Sequence, residues 1–537
     1  MYPLKLTRSV VSNPDFPVVQ TKAGKIRGLL EEGVFLFRGV QYAKAERYHM
    51  PEPVEPWEGT KEAIIYGPVC PEIHTPIAHD EYNVPHYHYI QDEECHYLNI
   101  WTKHIDNSVK RPVMVWIHGG GFFSGSSIEL YAYDGQELAD FGDVVVVSLN
   151  HRLNVLGYLD LSDYGEEYKY TGNLGQADMV AALQWVHDNI ENFGGDPSNV
   201  TIMGQSGGGG KVSALLQTPA ADGLFHKAVI QSGVGKGRSN YTHESSGYIA
   251  DLVVKELGLT KETIKEIETI PYYKLARAAQ KAGNIAEKER GIRMGGWSPV
   301  VDFDYYMGSG MENPFREETK HIPMLVGSLL GEFDQNYNVV LAPGSKNDWD
   351  DELVNKLYKQ QFGDKADAVR AAQKKAYPKA KPVDALFTNK GGRIAHRDFC
   401  IKRFEEGCAP AYNWLFTLEC PFNNGTIPWH NAEEAYMFHN ANYLEASYIP
   451  GVSEQLQDQM TGAWVAFAET GDPNHPGLPK WDPVKDNNGA CMIFDRETRQ
   501  ECHHDDELME ALPDKPMGIG NARAPKSTFG GGPRQSI

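Results

Sequence analysis

Residues 200–213, VTIMGQSGGGGKVS, decide the fold. Residues typical of strands run directly into the pentad Gly204-Gln205-Ser206-Gly207-Gly208, and a helix-forming segment, KVSALLQ, follows. This order predicts a strand, a tight turn and a helix. In a GxSxG turn the central residue is strained, and the positions two before and two after it must lack a Cβ to avoid a collision. The stretch therefore predicts Ser206 at the edge of a sheet, with its hydroxyl clear of the backbone.

The predicted helix bears on the chemistry of Ser206. Its N-terminus offers unpaired N–H groups and a partial positive charge, which favour an oxyanion beside the serine. Two phosphate-binding motifs do not fit. GxxxxGK[ST] requires a glycine at Gln205 and a hydroxyl residue at Val212, and GxGxxG from Gly207 requires a glycine at Val212. From the pentad alone, a glycine-rich turn with an unreactive serine remains open.

The composition indicates a large globular protein without a nucleic-acid partner. The chain has 537 residues, 41% of them hydrophobic, which suffices for a large core in one big α/β domain or several ordinary ones. Its net charge of −21 disfavours nucleic acid or an anionic membrane surface as a partner, because both bind basic faces. We expect no cofactor, and the oligomeric state stays open.

Targeting and metal signals are weak. No apolar run approaches the roughly 18 residues of a membrane span, and residues 1–20 lack the apolar core of a signal peptide. We expect a cytoplasmic protein, or a secreted one if a leader was removed.

Seven cysteines without a CxxC motif argue against a zinc ribbon. We expect no metal, and a polar surface loop where residues 71–96 gather His74, His79, His86, His88 and His96.

Strands and helices alternate from residue 97 onward. A helix is predicted for QADMVAALQWVHDNIENF, ending at Gly194 and Gly195. Strands separated by helices imply a mostly parallel central sheet flanked by helices, with ligands beyond the carboxyl ends of the strands. The predicted strands are YLNIWT, RPVMVWIH, VVVVSLN, VTIMG, AVIQSG and IPMLVGS.

One domain is expected over residues 1–511. Charged, helix-like segments at about 243–290 and 349–410 are interpreted as insertions over the end of the sheet, where they would wall a pocket. Residues 512–537 are rich in glycine and proline and poor in apolar residues, so they are predicted to form a loosely packed tail.

A reactive serine needs partners elsewhere in the chain. Its proton requires a base, and that base requires an orienting carboxylate. Donors for the oxyanion are expected in HGGGF at 118–122, which follows a predicted strand in the manner of a glycine-rich oxyanion loop. We expect the N–H groups of Gly120, Gly121 and Gly207 to form the hole.

A series of motifs extends over about residues 20–485 of the chain. They are, in order, GPVC, DEECHYLNIW, VWIHGGGFFSG, NHRLNVLGYL, GNLGQADMVAALQWVHDNIENFGGDPSNVTIMGQSGGG, IPMLVGSLLGEF, HNAEEAYMF and AWVAFAETGDPN. Taken together these motifs resemble one family, the type-B carboxylesterases and cholinesterases of the α/β-hydrolase fold, and the resemblance is far more specific than the pentad.

The resemblance implies a serine esterase with a Ser, Glu, His triad: Ser206 as nucleophile, Glu332 as acid and His430 as base. It also implies that Ser232 and Glu433 support the triad. Glu332 lies in a segment that departs from the usual family pattern around the acid. A disulfide between Cys70 and Cys95 is implied as well, in conflict with a reducing compartment.

Two departures from the cholinesterases concern the substrate. Gln205 stands where they carry an acidic residue, and the segment between Cys70 and Cys95 contains no tryptophan. A quaternary ammonium group would lose a charge and a cation–π platform, so choline esters are predicted to be poor substrates. We expect a small-molecule ester as substrate. The alternatives are a lipase for longer acyl esters and a non-catalytic interaction protein of the same fold.

Overall fold

The computed structural model describes residues 9–73, 86–235, 241–292, 296–333, 341–486 and 488–514. The strands in this part of the chain are β1 (Val10–Val11), β2 (Val18–Gln20), β3 (Lys25–Arg27), β4 (Leu29–Glu31), β5 (Val34–Gln41), β6 (Ala43–Lys44), β7 (Glu52–Pro53), β8 (Thr60–Glu62), β9 (Tyr97–Thr102), β10 (Arg111–Ile117), β11 (Val145–Leu149), β12 (Gly195–Gln205), β13 (Lys227–Gln231), β14 (Tyr241–Thr242), β15 (Val300–Val301), β16 (Met324–Leu329), β17 (Ala411–Phe416), β18 (Ala490–Phe494) and β19 (Arg499–Cys502).

A 12-stranded sheet forms the centre of the molecule, in the order β1-β4-β5-β9-β11-β10-β12-β13-β16-β17-β18-β19. The strands from β11 to β18 in this order run parallel, and those at both edges pair antiparallel. This is the mostly parallel sheet of the α/β-hydrolase fold, as predicted. β12, which leads into the pentad, lies between β10 and β13.

Alternation along each strand explains why both faces of the sheet are covered. In β10, Val113, Val115 and Ile117 belong to the hydrophobic cluster on one face. Met114 and Trp116 belong to the cluster on the other face. Successive side chains of a strand point to opposite faces, so a strand that is apolar throughout requires helices on both sides.

The flanking helices are α1 (Gln136–Gly142), α2 (Asn154–Tyr158), α3 (Leu174–Asn189), α4 (Gly207–Leu215), α5 (His243–Glu256), α6 (Tyr272–Arg290), α7 (Glu317–Lys320), α8 (Asp351–Phe362), α9 (Ala366–Ala376), α10 (Lys390–Glu405), α11 (Glu434–Met437), α12 (Ser453–Thr470) and α13 (Asp506–Ala511). The predicted helix at 176–193 is α3 with a 3-10 turn that ends at Gly194, whose φ is 75°. None of the described helices is long and apolar enough to cross a membrane.

The two predicted insertions are largely helical. α5 and α6 share a hydrophobic cluster with Phe122 of the glycine-rich loop. α8 and α9 share one with Leu330, just after β16. In contrast, Phe399 and Cys400 of α10 belong to the core on one face of the sheet, where this helix packs on β16 and β17.

Parts of the predicted loop and tail lie outside the described residues. His74 and His79 fall within 74–85, and most of the expected tail is 515–537. His96 is buried at the start of β9 and is not part of a surface loop, since its Nε2 lies 3.1 Å from Asp178 Oδ2.

Candidate active site

Ser206 occupies the turn between β12 and α4. Its backbone has φ 56° and ψ −122°, a strained conformation for a residue with a Cβ. The Ser206 N–H donates to Gln231 O of β13 at 2.7 Å, and the Ser206 carbonyl accepts from Gly210 N at 3.0 Å. These hydrogen bonds fix the turn to the neighbouring strand and to the helix. The predicted order of strand, tight turn and helix is confirmed.

Two glycines of the pentad make this turn possible. A Cβ at Gly204 would lie 2.6 Å from Ile117 O and 2.5 Å from the carbonyl carbon of Gly208. A Cβ at Gly208 would overlap Ile117 O and lie 2.9 Å from His118 O. Since these neighbours are backbone atoms of the sheet, its loop and the following helix, they have little freedom to move. Both positions therefore require glycine for steric reasons.

The HGGGF loop follows β10 and lies against the turn. Gly120 and Gly121 have φ of 80° and 64°, in the left-handed region that favours glycine. A Cβ at Gly207 would overlap N, Cα and O of Gly121, so the two backbones are in direct contact. Gly207 is also the first residue of α4, where an N–H lacks an acceptor within the helix. The three glycines expected to form an oxyanion hole are thus gathered beside Ser206.

His430 and Glu332 are brought together from loops after β17 and β16. His430 Nδ1 donates to Glu332 Oε2, and the His430 backbone N–H donates to the Glu332 carbonyl at 3.2 Å. Both side chains are buried, with His430 2% and Glu332 4% exposed. Because a carboxylate only accepts, the proton lies on Nδ1, which leaves Nε2 as the basic nitrogen of the ring.

Glu332 is held as a carboxylate by several donors. Burial acts to raise its pKa, but the charge and hydrogen bond of His430, the Leu329 N–H and the Ser232 hydroxyl together lower the pKa below its ordinary value. Ser232 Oγ donates to Glu332 Oε1 at 2.6 Å, and Leu329 N donates to the same oxygen at 2.9 Å. Ser232 therefore contacts Glu332, as the resemblance implies.

Glu433 is fully buried three residues after His430. Its Oε1 accepts from Gln231 Nε2 at 3.0 Å, and Gln231 Oε1 accepts from Trp464 Nε1 at 3.3 Å. Burial raises the pKa of Glu433 to about 7, with the Gln231 hydrogen bond opposing this and the Glu332 charge adding to it. Gln231 was not predicted from the sequence. The sequence did place it at the end of β13, the strand next to the one that leads to Ser206, and this position could have indicated a role near the site.

The disulfide implied by the resemblance is not formed. Cys70 and Cys95 are both buried and both are free cysteines. The hydrogen bond with Cys70, and then burial, raise the pKa of the Cys95 thiol well above its ordinary value. A disulfide forms through attack by a thiolate, so a raised thiol pKa slows its formation.

Other side chains near the turn include two that sequence reasoning missed. The Phe333 ring lies 4.0 Å from the His430 ring between centroids and is 36% exposed. Lys211 of α4 is fully buried, and its Nζ donates to His118 O at 2.9 Å. Its signal was a single lysine within an otherwise uncharged helix start. Gln205 is buried without a formal charge, next to Gly119.

No group of histidine, cysteine, aspartate and glutamate side chains within the described ranges could hold a metal ion. The site contains a serine hydroxyl on a strained turn and a buried imidazole with its orienting carboxylate. Three glycines with backbone N–H groups lie beside the serine. These are the functional groups that acyl transfer requires.

Comparisons with known proteins point to the same chemistry. The model of the carboxylesterase family matches residues 15–510. The chain is 31% identical to para-nitrobenzyl esterase of Bacillus subtilis (strain 168), over 92% of this chain and 98% of that protein. It is 40% identical to liver carboxylesterase B-1 of Rattus norvegicus, over 91% and 92%. A solved esterase of the anaerobe Clostridium hathewayi, described as able to hydrolyse aliphatic aromatic polyesters, is 44% identical with a TM-score of 0.87, over 94% of this chain and 99% of that one.

Proposed function

Because the chain belongs to the carboxylesterase family and is a hydrolase of carboxylic esters, we propose that it acts through an acyl-enzyme on Ser206. In this proposal Ser206 is the nucleophile, His430 the general base and acid, and Glu332 the carboxylate that orients His430. The N–H groups of Gly120, Gly121 and Gly207 stabilise the oxyanion.

The reaction has two steps of the same kind. His430 Nε2 takes the proton of Ser206 Oγ while that oxygen attacks the ester carbonyl, and the carbonyl oxygen becomes negative in the glycine hole. His430 then gives the proton to the departing alcohol, which leaves an acyl-serine. A water molecule, activated by the same nitrogen, attacks the acyl-serine and releases the acid. Glu332 stabilises the imidazolium that forms in each step.

One observation carries the proposal: the strained turn at Ser206 lies against the HGGGF loop. Gly207 begins the helix after Ser206, and Gly121 lies in the loop after β10. Their contact brings backbone N–H groups from both elements close to the Ser206 hydroxyl. An idle glycine-rich turn would not need the positive φ of Ser206, which costs free energy of order 1–3 kcal/mol. The buried pair of His430 and Glu332 supports the same function.

We propose small, uncharged esters as substrates, including esters with aromatic groups. Gln205 gives the site no anionic residue next to the nucleophile, so a cationic alcohol group gains nothing there. The partly exposed ring of Phe333, against His430, offers an aromatic surface beside the reacting groups. The Clostridium hathewayi relative, which hydrolyses aliphatic aromatic polyesters, is in keeping with this class.

The test is turnover of 4-nitrophenyl esters from acetate to palmitate by Ser206→Ala. We expect its kcat to fall roughly 10⁴- to 10⁶-fold with the fold intact, because triad members act as one unit. Ser213→Ala, a partly buried serine of the same helix, is the matched control and should keep its activity. Near-normal hydrolysis by Ser206→Ala would overturn the assignment. Activity that rises only above the solubility limit of the long esters would instead favour a lipase.

A further inference from the structure

Lys211 is a buried lysine directly behind the glycine-rich loop. It lies in α4 five residues after Ser206, and its side chain is fully buried. Its Nζ donates to His118 O at 2.9 Å and is 3.3 Å from Gly119 O. A lysine is rarely buried in this way without a purpose, since removing an ammonium group from water is costly. The mechanism above does not use it.

The contact with Gly119 acts on the peptide that joins Gly119 to Gly120. In a trans peptide the C=O and the N–H point in opposite directions. With the Gly119 carbonyl directed at Lys211 Nζ, the Gly120 N–H points away from the lysine. The same loop lies against the nucleophile turn, since a Cβ at Gly119 would lie 3.6 Å from Ser206 Cβ. The Gly119 carbonyl also accepts from His118 Nδ1 at 2.9 Å, so the lysine at 3.3 Å and the histidine together fix the direction of a donor proposed for the oxyanion hole.

The two histidines closest to Lys211 do not compete with it for positive charge. His118 and His151 are stacked, with ring centroids 5.2 Å apart and both rings buried. Burial first, and then the charge of Lys211, lower the pKa of both rings well below the ordinary value. Burial lowers the pKa of Lys211 to about 7, against the attraction of Glu129 and Cys70. Of these three side chains, the lysine is therefore the one with a substantial protonated fraction near neutral pH.

We propose that Lys211 is a positioning residue that holds the Gly119–Gly120 peptide in place and polarises it toward the oxyanion. A donor at the carbonyl end of a peptide strengthens the hydrogen bond that its N–H donates at the other end. As negative charge develops on the substrate, the Gly120 N–H transmits the effect of the buried cation. This inference rests on the proposed function, and it adds a side chain to a hole otherwise made of backbone.

The test compares Lys211→Met with Lys227→Met. Methionine keeps the unbranched apolar stem of lysine and removes the donor and the charge. Lys227, at the start of β13, is also buried and also has its pKa lowered by burial, but it lies at the strand end opposite the site, with its Nζ bonded to Asn199. We expect Lys211→Met to lower kcat for 4-nitrophenyl butyrate about 10- to 100-fold, with KM within threefold. Lys227→Met should keep the wild-type kcat.

A second readout separates positioning of the hole from a general loss of structure. When a trifluoromethyl ketone binds, Ser206 Oγ adds to its carbonyl carbon and the serine proton passes to His430 Nε2. The electrons of the carbonyl π bond move to the ketone oxygen, which becomes an oxyanion in the hole. We expect Lys211→Met to bind this ketone more weakly by the same factor as kcat falls, because both report the oxyanion. An uncharged analogue that forms no oxyanion, such as the N-butyl amide of butyric acid, should bind with an affinity that changes less than threefold.

The outcomes distinguish this inference from the proposed function. If Lys211→Met melts at the wild-type temperature and keeps kcat within threefold, the role of Lys211 is refuted while Ser206→Ala still reports on the nucleophile. A loss of kcat without loss of ketone affinity would also refute it. If Lys211→Met does not fold, Lys211→Gln is judged by the same readouts: a loss of at least threefold in both supports the role, and a smaller loss refutes it.

Discussion

Three residues of the site have positive φ although each carries a Cβ: Ser206 at 56°, Ser232 at 51° and Glu332 at 48°. Each follows the carboxyl end of a strand in the middle of the sheet, and each contacts another member of the site or its glycine loop. Such conformations cost of order 1–3 kcal/mol apiece. Their clustering at one edge of the sheet indicates that the surrounding structure maintains this strain at the site.

The hydrogen bond from Ser232 to Glu332 predicts a pH effect. The pKa of Glu332 lies below its ordinary value, so its carboxylate persists as pH falls and the site keeps its orienting charge. Ser232→Ala removes the 2.6 Å donor, which raises the pKa of Glu332. We expect the pKa of the Glu332 carboxyl, followed by NMR titration of the free enzyme, to rise by about 1 to 2 pH units, in line with the 1.5–3 kcal/mol of a hydrogen bond to a charged group.

Ser328→Ala is the matched control for this shift. Ser328 is buried on β16, and its Oγ has no hydrogen-bond partner among the described residues. Its removal should leave the pKa of Glu332 unchanged. A titration curve for Ser232→Ala that superimposes on that of the wild type would show that Ser232 does not stabilise the Glu332 carboxylate.

At the scale of elements, the helix after the nucleophile makes opposite predictions for two of its glycines. A Cβ at Gly208 would overlap Ile117 O, whereas a Cβ at Gly210 would meet nothing closer than the Phe122 ring at 3.6 Å. Gly208→Ala should therefore destabilise the protein by several kcal/mol, since backbone must move. Gly210→Ala should be neutral or stabilise it by up to about 1 kcal/mol, through helix propensity.

Thermal or urea unfolding of the two variants checks this prediction. Both substitutions add one methyl group to the same helix, so their difference isolates the contact with the sheet. Equal unfolding midpoints for Gly208→Ala and Gly210→Ala would contradict the packing of the turn described above.

The elements of the central sheet were predictable because short apolar runs of strand length alternate with segments of helical pattern. VTIMG, AVIQSG and IPMLVGS lie in β12, β13 and β16, and the turn glycines of the pentad indicated the helix that follows them. The packing of α10 on the sheet face was less accessible. Its residues are as charged as those of α8 and α9, and it differs in placing Phe399 and Cys400 in the core on one face of the sheet.

The site was predictable to the extent that its residues belong to motifs. Ser206, Glu332 and His430 could be named from the resemblance, although the contact of Glu332 with His430 depends on loops after two different strands. Contacts that depend on side-chain direction were not accessible: the ring of Phe333 on His430, the amide of Gln231 on Glu433 and the ammonium of Lys211 behind the loop. The thiols of Cys70 and Cys95 show the reverse case, where a motif predicted a bond that is absent.

At the scale of the whole molecule, charge and site composition predict opposite effects on cationic substrates. The net charge of −21 attracts a choline ester over long range, and salt screens that attraction. Within the site, the neutral Gln205 offers no negative charge to the cationic group of the ester. We expect kcat/KM for butyrylcholine at 0.5 M salt to be at least about tenfold below that for its uncharged isostere, 3,3-dimethylbutyl butyrate, from the lost charge and cation–π contacts.

Hydrolysis of the two esters, followed by titration of the released acid, measures this ratio directly. The isostere has the same shape as the choline ester, so it serves as the control for size. Equal kcat/KM values for the two esters at high salt would contradict the prediction and would indicate a cation-binding surface within the site.

Acyl transfer through Ser206 is tested most directly by the burst of 4-nitrophenol in a stopped-flow reaction. With a slowly deacylating ester, such as 4-nitrophenyl trimethylacetate, we expect a burst of about one equivalent per active chain and an added acyl mass on the peptide that contains Ser206. Ser206→Ala should give neither. A steady release without a burst and without an acylated peptide, or an acyl group on another residue, would contradict the account.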